Sequence, residues 1–385
     1  MASAEPNTPR RRWVWALLAV VAPALLLRVF VFGTYVVTSP SMEPALRVGD
    51  HIVAWKRALV DAPSAWDIVL LSPGVDNEVP QGVEALVKRV VAAPRDASEF
   101  VSLRDGDLWA GPAPNELSLR RRSRELIDAQ LQVVQRSEGL DAAWQGVGAS
   151  SLAAGGLLLD GEGAPAALRF GRAVRDGNAS EPGHDVVHDT GLELELAHAF
   201  TRGHLRLRLR EGADVYEARI TARADGVSLS LQHNLAGGVA LAEARVATLG
   251  PGPLRFLNVD DELHLELNGE PLLSGPVGPA AELPPGAALN NAPAIEFSGG
   301  RLELAALSVL RDQHYTAQGR FGTRASGGFP VYEVPAGSLF VLGDDSRRSR
   351  DSRHLGALPG SVLLGRPFAL YQPGERRRWL DRQGL

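Results

Sequence analysis

The chain has no cysteine, which excludes disulfides, zinc–thiolate sites and a thiol nucleophile, and leaves the redox compartment open. It also lacks a dominant basic charge: 40 lysines and arginines stand against 45 acids, for a net charge of -5. A protein that held nucleic acid by neutralising phosphates would need the opposite balance, so no nucleic-acid partner is expected. No GxSxG elbow is present, and neither His51 nor His354 sits in a recognised triad signature. Metal-ligand geometry is missing as well. His184 and His188 lie in GHDVVHD beside Asp185 and Asp189, but this segment follows GNASEPG and reads as a loop, without the helix that would turn two such histidines to one ion. His198, His204 and His264 fall on polar positions of alternating strands. No metal and no other cofactor is expected.

What is present begins with one long apolar run. Arg10, Arg11 and Arg12 precede a nearly unbroken apolar stretch from Trp13 to Leu27, extended past Arg28 to Val37. About 20 apolar residues suffice to cross a bilayer, and this run exceeds the apolar part of a cleavable export signal. A transmembrane helix over 13–37 is therefore expected, behind a cytoplasmic tail of residues 1–12. Pro23 is tolerated in such a helix, and Arg28 reaches the head groups from its outer end. The positive-inside rule places the rest of the chain on the outer side of the cytoplasmic (inner) membrane.

At 385 residues the remainder is too long for one ordinary core, so two domains, or one domain with a large insertion, are expected. The runs HIVAW (51–55), DIVLL (67–71) and ALVKRVV (85–91) are strand-like and split by Pro and Gly clusters. Residues 114–137 change period: Leu117, Leu126, Ile127, Leu131 and Val134 among many charges predict one amphipathic helix. From about 145 to 312 the pattern is strict alternation, as in LELEL (192–196), HLRLRLR (204–210) and ELHLELN (262–268). Strands apolar on one side only predict an antiparallel sandwich. The stretch FLNVDDELHLELNGEPLL (256–273) resembles the strand, hairpin and strand of concanavalin-like or laminin-G-like jelly rolls, with Asn268-Gly269 as the tight turn. After residue 325 the first style returns. The predicted class is mainly β: a membrane helix, a split catalytic β domain over 38–98 and 325–385, and a lobe inserted over 99–324.

A serine hydroxyl is a poor nucleophile at neutral pH and needs a base. A lysine serves if burial strips its ammonium of solvation and lowers its pKa. Lys88 meets that demand, since Leu86, Val87, Val90 and Val91 surround it in sequence and it shares a strand face with Leu86 and Val90 while Arg89 points the other way.

The stretches SPSMEPAL, VGDHIV, WDIVLL, LVKRVVAAPRD and GDDSRRSRDSR resemble, in order and character, the conserved boxes of bacterial type I signal peptidases, over residues 13–98 and 325–371. The resemblance implies that Ser41, followed by Met42 and Pro44, is the nucleophile and that Lys88 is the general base. It implies that the hydroxyl of Ser39 joins the backbone N–H of Ser41 in an oxyanion hole. Ser349 would orient the lysine, Asp351 and Arg353 would form a buried pair behind it, and Gly343 and Asp344 would open that loop. Trp66 and Arg95 stand where the family has glycine, and the insert is larger than the accessory lobe of ordinary members.

The resemblance further implies a serine endopeptidase acting on exported preproteins at the bilayer surface, with secretion machinery as a further partner. The substrate would add as an extended strand and place small residues, as in Ala-x-Ala, in shallow apolar pockets. Two alternatives stay open: a non-catalytic adhesion or carbohydrate-binding protein that uses the sandwich, and a peptidase dedicated to one substrate.

Overall fold

The computed structural model describes residues 9–57, 60–79, 81–177, 183–234, 238–278, 291–317, 319, 323–324 and 329–384. The N-terminal helix runs Pro9–Phe30, with Pro23 inside it. It stops short of the helix expected to reach Val37. Gly33 and the β-branched Thr34 and Val36 favour extended backbone, and Phe32–Val36 is a strand paired with His51–Lys56, Phe32 opposite Trp55 and Val36 opposite His51. Among the described residues no helix is long and apolar enough to cross a membrane. Residues 1–8 of the expected tail lie outside the described residues, as do the side chains of 9–12 and 24–30.

The chain divides into two compact units, one of Met1–Ser102, Trp109–Ser118 and Ala317–Leu385, the other of Leu103–Leu108 and Leu119–Thr316. In the first, an antiparallel sheet runs in the order Phe32–Val36, His51–Lys56, Leu363–Gln372, Ile68–Leu71, Leu86–Ala92, Ser338–Leu342, Leu358–Pro359. The C-terminal strand Leu363–Gln372 thus sits between two N-terminal strands, so the two parts of this unit share one core. The sheet is covered on both faces, which explains a four-residue strand, Ile68–Leu71, buried throughout. Ile68 and Leu70 pack with Met42, Leu46, Ile52 and Leu370 on one side. Val69 and Leu71 pack with Val90, Val341 and Leu363 on the other. Where the chain leaves and returns, residues 99–102 pair with 331–334, Glu99 opposite Val334 and Ser102 opposite Val331.

The second unit is a two-sheet antiparallel sandwich. Period-2 alternation sends Leu192, Leu194 and Leu196 of one sheet, and Leu205, Leu207 and Leu209 of the other, into a shared core with Ile220, Leu229, Phe256 and Phe297. Asn268 and Gly269 have φ of 56° and 79° and join Glu262–Leu267 to Glu270–Pro276, the left-handed pair that a two-residue hairpin needs.

The helix expected over 114–137 is confined to Arg124–Gln130, capped by Ser123, whose side chain accepts the N–H of Leu126. Leu126 and Ile127 bury its inner face, and Ile127 packs on Leu257, Val259 and Leu310. Beyond it, Gln132–Ser137 is a strand on Arg301–Arg311, with Leu310 opposite Val133. The adjacent β-branched Val133 and Val134 suit this strand better than a continued helix. The apolar spacing suggests one period where there are three short elements, the strand Ser118–Leu119, the helix Arg124–Gln130 and the strand Gln132–Ser137.

Candidate active site

Ser41 sits in a single 3₁₀ turn, Pro40–Met42, preceded by Ser39 in extended conformation. Apolar burial fixes this turn: Met42 and Leu46 are in the core, and the Leu46 N–H donates to the Met42 carbonyl at 2.9 Å. Lys88 lies in the middle of Leu86–Ala92, opposite Val69. The sheet brings its Nζ 3.0 Å from Ser41 Oγ and 3.0 Å from Ser349 Oγ. Ser39 Oγ is 3.1 Å from Ser41 Oγ. Of the residues singled out in the sequence, Ser39, Ser41, Lys88 and Ser349 are therefore hydrogen-bonded in one chain of contacts. His51 is elsewhere, its Nδ1 3.4 Å from the Tyr371 hydroxyl.

Lys88 and Ser41 are only 5% and 4% exposed. Burial is the main influence on Lys88 and lowers its pKa from the ordinary 10.5 to about 8; the nearby Asp351 resists that shift and Arg353 reinforces it. A lysine titrating there is neutral in a useful fraction near neutral pH and can accept a proton from Ser41.

Behind Ser349, Asp351 and Arg353 form a fully buried pair, with Arg353 Nε and Nη2 each donating to the carboxylate at 2.8 Å. Arg353 also donates to the Ser346 hydroxyl and carbonyl, and the Gly343 N–H donates to Asp351 at 3.1 Å. Burial pushes the Asp351 carboxyl up, but the hydrogen bonds and charge of Arg353, with Lys88 and Ser349, outweigh it and hold the group below the ordinary range. Gly343 has a steric reason: a Cβ there would run into Ser349 Oγ and the Ser41 carbonyl. The Ser41 carbonyl also accepts the N–H of Asp345 at 3.0 Å, so this loop and the serine turn are directly linked.

Sequence reasoning gave Arg89 no role. The structure buries it completely, with Nε and Nη2 donating to the two oxygens of Asp344 at 2.6 Å each, and with Nη1 donating to the carbonyls of Trp66 and Gln383. Trp66 adopts φ 74°, a conformation natural to glycine and strained for tryptophan. The signal that could have found this pair was adjacency, since Arg89 follows Lys88 and Asp344 opens the loop that carries Ser349.

A cavity of about 390 Å³ opens beside Ser41 and Lys88. The end of the strand Phe32–Val36 with residues 37–39, and Ala85 with the start of Leu86–Ala92, line it, with Asp76, Glu78, Arg348 and Arg350 on the charged part of its wall.

In the second unit, among the described residues, Asp107, Asp189 and Asp260 bring carboxylate oxygens within 4.8 Å of one another. Arg122 pairs with Asp260 and Asp312 in the same cluster. His184 and His188 are not part of this set.

The family model for signal peptidase, peptidase S26, matches residues 10–122 and 294–371. A curated relative, Signal peptidase I of Bacillus licheniformis, is 32% identical over 123 residues, which is 31% of this chain and 61% of the relative. The chain thus spans about three fifths of that relative's length. Among solved structures, the CBM2 module of the evolved Dit of Lactobacillus casei BL23 phage J-1 is 9% identical, with 48% of this chain and 96% of that one covered and a TM-score of 0.29. Carbohydrate binding module CBM66 from Bacillus subtilis is 12% identical, with 44% and 92% covered and a TM-score of 0.26. Scores this low define no shared fold.

Proposed function

Because the chain belongs to the signal peptidase family, peptidase S26, we propose that it is a membrane-anchored serine endopeptidase that removes signal peptides from exported preproteins. In this reading residues 38–98 and 325–385 form the catalytic domain and 99–324 the inserted lobe. The observation that carries it is the buried Lys88 Nζ standing 3.0 Å from Ser41 Oγ and 3.0 Å from Ser349 Oγ. Neutral Lys88 takes the Ser41 proton as Oγ attacks the scissile carbonyl. The oxyanion is met by the Ser41 N–H and the Ser39 hydroxyl, and removing one such donor costs about 3 kcal/mol of barrier in serine proteases. The lysine then passes its proton to the leaving amine, and Ser41 remains as an acyl ester. Lys88 next removes a proton from water, which attacks the ester and releases the signal peptide.

The strand ends at Val36 and at Leu86 and Val87 suit a substrate laid in as a strand, and the apolar side chains of Val36, Val37, Ala85, Leu86 and Val87 suit small apolar residues before the cut. The apolar run from Trp13 behind three arginines supports a single membrane-crossing helix with a cytoplasmic N-terminus. Only three residues separate Val37 from Ser41, so the site would lie close to the outer (periplasmic) surface, where a translocated signal peptide ends. The test is cleavage of an exported preprotein by the purified full chain beside Ser41→Ala and Lys88→Ala. Both variants should be folded and inactive, and wild-type turnover in either would sink the reading.

A further inference from the structure

Three carboxylates raise the proton affinity of Lys88 from around it: Asp351, Asp76 and Asp344. Each has its own arginine. Asp351 is held by Arg353 and Asp344 by Arg89, both arginines fully buried. Asp76 is held by Arg350, whose Nε lies 2.9 Å from each of its oxygens while Nη2 reaches Glu78 at 3.0 Å. The Glu78 N–H also donates to Asp76 at 3.0 Å. The other charged residue on the cavity wall, Arg348, is committed to Asp345 and Glu43.

Asp76 differs from the other two carboxylates. It comes from the turn after Pro73–Val75 rather than from the loop of Ser349, and it lines the cavity together with Ser41 and Lys88. It is only 7% exposed, so water screens it poorly. A bare carboxylate on this wall would be a better partner for a lysine ammonium than either serine hydroxyl. It would stabilise the charged form and draw Nζ away from Ser41.

We propose that Arg350 is a positioning residue for the base: by occupying both oxygens of Asp76 it keeps that carboxylate from capturing Lys88. Arg350 is one-third exposed at the cavity, so it does this from the solvent side without filling the space beside Ser41. The inference rests on the serine–lysine reading and adds a third carboxylate–arginine pair to the two that hold the loop of Ser349.

The experiment is kcat/KM against pH for the purified full chain with a preprotein substrate, comparing wild type, Arg350→Gln, Asp76→Asn and the double variant. Arg350→Gln should move the acid limb up by about one pH unit, the size expected when a neighbouring charge is uncovered. Activity on that limb should fall about tenfold more than any change in the high-pH plateau, which reports separately on contacts of Arg350 with substrate. The double variant should return the limb to its wild-type place. Asp76→Asn alone, which removes the carboxylate and leaves the arginine, should move the limb down, and it decides the matter if Arg350→Gln fails to fold. A limb that stays put in Arg350→Gln, or a double variant as impaired as the single one, would mean a merely structural pair and overturn the proposal. Lys88→Ala in the same assay separates the two readings, because turnover there would overturn the lysine base whatever Arg350 does.

Discussion

Replacing Ser349 by alanine isolates the contact proposed to orient Lys88 as the base. Ser349 Oγ is 3.0 Å from Lys88 Nζ, and Ser349 is 6% exposed, so water does not readily take its place. Its hydroxyl also supports the carboxylate of Asp351, which makes it the link between the lysine and the buried arginine pair. Hydrogen bonds to charged groups contribute about 1.5 to 3 kcal/mol. The deleted atom is one oxygen in a packed loop, so the backbone has no reason to move. If the contact serves mainly to hold Nζ against Ser41 in the transition state, that energy appears as a loss of about ten- to a hundredfold in kcat/KM, borne by kcat with KM little changed. The assay is steady-state cleavage of a preprotein at a pH above the acid limb, with a thermal melt of each protein to show that the fold is kept. A loss smaller than about twofold, or one confined to KM, would refute the idea that Ser349 positions the base.

The acid limb of wild-type kcat/KM should fall near pH 8, where burial places Lys88, and Lys88→Arg should be inactive because guanidinium stays protonated. The same burial makes the folded protein bind fewer protons than the unfolded chain between about 8 and 10.5. The contribution of Lys88 should therefore make stability rise with pH across that window, by about 3 kcal/mol in all, and chemical denaturation at several pH values, wild type against Lys88→Met, should show the slope lost in the variant. Gly343→Ala should abolish cleavage with modest loss of stability, because its methyl displaces Ser349 Oγ and the Ser41 carbonyl; full activity would show that the loop gives way. Asp344→Asn should destabilise the protein by about 3 to 5 kcal/mol in urea unfolding, because it removes the carboxylate that faces the buried Arg89 guanidinium.

The parts of the fold that sequence could specify are those fixed by local chemistry. Alternation predicts the strands of the sandwich because a half-buried strand has no other way to sort Leu207 from Arg206. Asn268-Gly269 predicts its turn because few other pairs accept left-handed backbone twice in succession. Ser39, Ser41, Lys88 and Ser349 were legible through the boxes in which they stand, and the structure brings them together. Long-range pairing is what sequence alone left hidden. Arg89 reads as an outward residue of a strand until Asp344 arrives from 255 positions away, and Asp76 with Arg350 carries no spacing signal across 274. The helix expected over 114–137 failed for a related reason: the partner that draws Gln132–Ser137 into a sheet lies at Arg301–Arg311.

Those separations also set the order in which the protein matures. Ser41 and Lys88 are 47 positions apart, whereas Lys88 and Ser349 are 261 apart. A ribosome therefore delivers Ser41 and Lys88 early and Ser349 only near the end of synthesis. Closing the longer loop from an unstructured chain would cost about 1.5 kcal/mol more than closing the shorter one. A lobe that folds first spares most of that, because it gathers its own intervening residues before 99–102 and 331–334 zip together. Until then the nascent chain holds Ser41 and Lys88 without the hydrogen bond from Lys88 to Ser349. An incomplete translation product that ends before Ser349 would carry the Ser41 hydroxyl and Lys88 yet lack the contact on which the proposed chemistry depends.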